Sequence, residues 1–67
     1  MLEIIQDVSD DNIDTIFARY QALGWGQRRR IGRNDHVIGL QLVWPCEGAP
    51  QYPDLSDLPG LHQVHTL

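Results

Sequence analysis

The sequence predicts a small α+β domain. Residues 1–45 read as a βαββ unit, one helix packed on a three-stranded antiparallel sheet of order 1-3-2, and residues 46–67 as an extended Pro/Gly-rich C-terminal arm. Three observations carry this. Between Ser9 and Gly24 the residues Ile13, Ile16, Phe17, Tyr20 and Leu23 recur at three-and-four spacing, which places them on one stripe of a helix. From His36 to Trp44 the chain alternates, with Ile38, Leu40, Leu42 and Trp44 on one side and Val37, Gly39, Gln41 and Val43 on the other. Beyond that, Pro45, Gly48, Pro50, Pro53, Pro59 and Gly60 break any long regular element.

Taken in order, Met1 to Gln6 is β-rich and alternating and forms the first strand. The helix has signals at both ends. Ser9 is placed to accept from a free backbone N–H, Val8 and Ile13 stand at the positions of a hydrophobic staple, and Asp10 and Asp11 suit the positive end of the dipole. Gly24 permits the left-handed exit. Gln27 to Ile31 is a second strand, joined to the third through the turn cluster Gly32 to Asp35. The third strand is the most apolar and so belongs in the middle. Ile16, Phe17, Tyr20, Ile38, Leu40 and Leu42 are the expected core. The second sheet face, with Val37, Val43 and Ile5, is too apolar for water alone, and an arm carrying Tyr52, Leu55, Leu58, Leu61, Val64 and Leu67 would cover it, in its own subunit or a second one.

At 67 residues the chain is near the lower limit for a self-sufficient core, so a homodimer is expected. Cys46 has no second cysteine to pair with, and neither a leader-like start nor an apolar run of membrane length is present; the expected location is cytoplasmic, without a membrane. The net charge of -4 hides an acidic, basic, acidic succession. Residues 1 to 26 carry Glu3, Asp7, Asp10, Asp11 and Asp14 against Arg19, residues 27 to 44 carry Arg28, Arg29, Arg30 and Arg33 against Asp35, and the remainder carries Glu47, Asp54 and Asp57. With no lysine, every permanent cation is a guanidinium suited to bidentate pairing with carboxylate or phosphate.

The candidate partner-binding residues are Arg28, Arg29, Arg30 and Arg33, with Trp25 near enough to stack on a base. Strand alternation sends Arg28 and Arg30 one way and Arg29 the other, which weakens a shared nucleic-acid face and favours pairing with aspartates. His36, Cys46, His62 and His65 lack the paired spacing of a zinc site, and no metal or cofactor is expected. No nucleophile stands beside a base: Ser9 reads as a cap, and Ser56, Thr15 and Thr66 have no evident activator, so no catalytic residue is assigned.

The run Tyr20, Ala22, Leu23, Gly24, Trp25, followed by Val37, Ile38, Gly39, Leu40, resembles the first strand, helix and second strand of GNAT-type acetyltransferases, over about the first forty residues. The resemblance would imply an acyl-CoA pyrophosphate loop. Arg29 to Gly32 matches its first half, but Asn34 stands where that family needs a small residue. The expected function is therefore a non-enzymatic protein-interaction module, an inhibitor or adaptor of the kind carried by a phage or mobile element. Nucleic-acid binding through the arginine hairpin is the alternative, and a degenerate acetyltransferase-like fragment a lesser one.

Overall fold

The computed structural model describes all 67 residues. In chain order it contains β1 (Leu2–Asp7), α1 (Ile13–Ala22), β2 (Gly26–Arg33), β3 (His36–Trp44) and β4 (Val64–Thr66). The strands form one antiparallel sheet of order β2-β3-β1-β4. This corrects the expected three-stranded sheet of order 1-3-2. β3 lies between β1 and β2, but Val64 to Thr66 leave the arm to pair with the other edge of β1. The physical reason is the unpaired backbone of β1: Asp7 N–H donates to Gln63 O at 2.9 Å and Leu67 N–H to Glu3 O at 3.0 Å, extending the ladder at both ends of the short strand.

β2 and β3 meet in a two-residue turn, Asn34–Asp35, whose φ values of 51° and 64° match the twist of a hairpin. The helix starts later than its sequence signals suggest. Ser9 contributes its backbone carbonyl to Asn12 and Ile13, and its own N–H donates to Asn12 Oδ1 at 2.8 Å, so the serine hydroxyl is not the cap. Asp10 is likewise drawn away from the helix dipole, accepting from Val37 N–H at 2.8 Å and lying 2.8 Å from His36 Nδ1. Those two contacts, the backbone one first, hold its carboxyl below the usual range. At the far end Gly24 takes φ +108° and turns the chain into Trp25.

The core lies between α1 and one sheet face and comprises Ile4, Ile13, Ile16, Tyr20, Trp25, Leu40, Leu42, Trp44 and Leu55. Two expected members are displaced. Phe17 is only partly buried at its margin, and Ile38 is 43% exposed at the end of the sheet. Trp25 is the hub instead, with Tyr20 edge-on at 5.3 Å, Trp44 at 5.4 Å and Tyr52 at 5.5 Å between ring centroids. Gln6 is the one buried polar side chain. Its amide donates to Asp7 O and Gln63 O at 3.2 Å each, and its carbonyl accepts from Tyr20 Oη. Burial pushes the Tyr20 phenol up to about 12, so it stays a donor.

No helix or strand forms between Trp44 and Val64, yet this segment is fastened beside α1. Leu55 enters the core, Trp25 Nε1 donates to Gln51 O at 2.7 Å, and Arg19 reaches Asp54 O and both carboxylate oxygens of Asp57 at 2.6 and 2.8 Å. Its contacts thus lie on the helix side of the sheet. The Arg19 guanidinium holds the Asp57 carboxyl down to about 2, against an ordinary 3.8. A carboxyl lowered in the fold adds stability above its ordinary value and loses it as pH falls through the lowered one. Asp57→Asn should therefore flatten the fall of the melting temperature between roughly pH 4 and pH 2. An unchanged acid limb in a thermal-melt series would show that this clamp does not couple to folding.

Candidate functional site

The pairing register assigns the second sheet face to Glu3, Ile5 and Asp7 of β1, Gly39, Gln41 and Val43 of β3, and His65 of β4, while a register slip between Ile31 and Gly32 pairs Val37 with Gly32 and packs it against the core, which corrects its expected place on this face. From β2 it receives Ile31 and Arg29, which stand opposite Gly39 and Gln41. No helix covers it. Ile5, Ile31 and Val43 are half-buried, and Gly39 explains how the first two join. A methyl group on Gly39 would stand 3.1 Å from Ile5 Cγ2 and 3.6 Å from Ile31, so these two side chains converge over the bare glycine from either side. The result is an apolar band across β1, β3 and β2, made by Ile5 and Ile31 over Gly39.

Toward the Val43 end the same face is polar. The β2–β3 register slips between Gln27 and Arg29, and the extra residue of this bulge is Arg28. Arg28 Nε donates to Glu3 Oε1 at 2.6 Å, reaching across β3 to do so, while Arg29 Nε donates to Gln41 Oε1 at 2.7 Å and Gln41 Nε2 to Glu3 Oε1 at 3.1 Å. At the opposite edge His65 Nε2 lies 3.1 Å from Asp7 Oδ1. The face is therefore cationic along β2 and acidic along β1, and the apolar band crosses from one to the other.

The bulge changes the arginine geometry that alternation predicts. Arg28 and Arg29 act on one face, not on opposite ones, and Arg30 goes to the helix side, where it lies 3.4 Å from Asp14. Arg33 sits at the hairpin end and makes no ion pair, and Arg29 has only the neutral Gln41. Trp25 does not join them. It is 3% exposed within the core, which corrects its expected role as a stacking platform. Residues 29 to 32, which the acetyltransferase resemblance would place in a phosphate loop, are strand residues paired with β3.

A cleft of about 350 Å³ lies on the helix side, lined by Gln6, Tyr20, Tyr52, Leu55, Ser56 and His62, among others. Its polar floor is already engaged, since Gln6 and Tyr20 satisfy each other. His62 Nε2 lies 3.1 Å from Leu58 O. Sequence reasoning did not find this cleft, because only the return of the arm beside α1 creates it. No helix of the structure is long and apolar enough to cross a membrane. No protein-family model matches the chain, and neither a curated protein nor a solved structure matches it.

Proposed function

We propose that this protein is a non-enzymatic protein-interaction module and that its working surface is the helix-free face of the sheet. The observation that carries this reading is the pair of half-buried apolar side chains, Ile5 and Ile31, converging over Gly39 and framed by Arg28, Arg29 and Glu3 on one side and Asp7 on the other. An apolar centre with a polar, charged rim is the anatomy of a surface that docks against protein. An inhibitor or adaptor works by presenting such a surface.

One observation favours a second reading. Arg29 and Arg33 lack carboxylate partners and are free to meet phosphates, although the net charge of -4 opposes a polyanion. A photo-crosslinking residue at Gln41, compared with one at Ala18 on the exposed side of α1, tests the first reading in cells expressing the protein. Protein adducts from position 41 alone are expected. Equal adducts from both positions, or none, would overturn it. A salt series against generic DNA and RNA tests the second, which predicts binding that steepens as salt falls and is lost in Arg29→Ala, Arg33→Ala.

A further inference from the structure

We infer that the cleft on the helix side is a binding site for a small aromatic hydrogen-bond donor, a molecule of the phenol or aromatic-amine class. This goes beyond the interaction-module reading and uses a different surface. The hydrogen-bond balance of the lining side chains points to it. Both hydrogens of the Gln6 amide are spent on Asp7 O and Gln63 O, and the Tyr20 hydroxyl gives its hydrogen to Gln6 Oε1. His62 Nε2 lies 3.1 Å from Leu58 O, and since a carbonyl only accepts, the proton sits on Nε2 and Nδ1 keeps a lone pair. That Nδ1 is shut off from water and has no partner within the chain. Ser56 gives its backbone N–H to Asp54 Oδ1 at 2.9 Å, and its hydroxyl turns to the same carboxylate. What the cleft has left is lone pairs, on Tyr20 Oη and on His62 Nδ1; of the lining side chains, only Tyr52 at the exposed rim keeps a hydrogen to give. An acceptor buried without a partner costs free energy that an incoming donor recovers. His62 is itself half-buried, so its ring can rock about the bond to Leu58 O to meet such a donor.

Shape and charge narrow the class. A volume of about 350 Å³ falls at the small end of the range, roughly 300–1,000 Å³, that takes organic ligands. The remaining wall is apolar, formed by Pro53, Leu55, Val64 and the ring of Tyr52. Tyr52 is 49% exposed while its ring rests against Trp25, so it offers a second ring a fixed surface to stack on. No arginine lines the cleft, and Asp54 and Asp57 flank the Leu55–Ser56 step. A carboxylate or phosphate would meet negative charge there and find the N–H groups of Gln6 and His62 already engaged. A single ring with a neutral donor suits the apolar wall, the stacking surface and the lone pairs together.

The test titrates the full-length protein with phenol, aniline, anisole and benzoate, followed by amide NMR at about pH 8, where a free imidazole is neutral. Phenol and aniline should shift the amides of Tyr52, Leu55, Ser56, His62 and Val64, with a Kd on the order of 1 mM, as befits so few atoms. Anisole carries the same ring and an oxygen without a hydrogen, and it should bind at least about tenfold more weakly, as should benzoate. His62→Phe keeps a ring and removes both nitrogens, so it should bring phenol down to the level of anisole. Should that variant lose the parental circular-dichroism spectrum, Tyr52→Ala at the exposed rim takes its place and should weaken phenol about fivefold through the lost stacking. Equal binding of phenol and anisole would overturn the assignment of a donor, and tighter binding of benzoate would reverse the charge argument. A folded His62→Phe that still prefers phenol to anisole would overturn the role of Nδ1. No shift in these amides at up to about 20 mM phenol would remove the site altogether. Crosslinking from position 41 reports on the opposite face of the sheet, so the two readings fail separately.

Discussion

Trp25→Ala should abolish cooperative unfolding at room temperature. The side chain is 3% exposed and touches Tyr20, Trp44 and Tyr52, so its removal empties the centre of the aromatic cluster. Large-to-small changes of this kind cost about 3–5 kcal/mol. A domain of this size has roughly that much stability in total. Trp25→Phe is the milder change, since it keeps a ring in the core while losing part of the indole's volume and the donor that satisfies Gln51 O. It should fold with a loss of about 2 kcal/mol. Urea melts followed by far-UV circular dichroism check both, and a Trp25→Ala variant that melts like the parent would show that the hub is dispensable.

Truncation after Cys46 should be as damaging, although it leaves every residue of the βαββ unit in place. The cut removes Leu55 from the core, worth about 1.5–3 kcal/mol in burial. It also takes away Gln51 O and Gln63 O, which leaves the Trp25 indole and the Gln6 amide short of acceptors, at roughly 1–3 kcal/mol for each group that stays buried. The summed loss is comparable to the whole stability of a small domain. A truncated chain with dispersed amide resonances and a sharp melt would show instead that residues 1–46 fold alone.

The elements that could be read from the sequence are those whose evidence is local. The α1 stripe and the alternation of β3 need only neighbours in the chain, and both run where the spacing puts them. β4 could not be read, because Val64 to Thr66 is too short for a periodic signal and owes its existence to the empty edge of β1, some sixty residues away. Ser9 and Asn12 illustrate competition among adjacent cap formers. Once Asp10 is engaged by His36 and Val37, the turn is set and the helix begins after Asn12. The helix-free face is half legible. Val43 and Ile5 follow from alternation, but the bulge at Arg28 shifts phase within β2 and cannot be deduced from a run of three arginines, and the slip between Ile31 and Gly32 takes Val37 to the core side. Trp25 was misplaced for a similar reason: proximity in sequence to the arginines says nothing about which layer the indole enters.

The position of β4 carries a further consequence, for the order in which the chain can fold during synthesis. The β2–β3 hairpin and the pairing of β1 with β3 need only the first two thirds of the chain, so a partial sheet can assemble as soon as those residues emerge. Until Gln63 to Thr66 clear the ribosome, however, one edge of β1 stays open and the Gln6 amide lacks one of its acceptors. A nascent sheet in that condition is open to strand exchange with a neighbouring nascent chain on the same message. Closing that edge falls to residues 63–66, so chains cut short before Gln63 should be recovered largely as aggregates joined through β1.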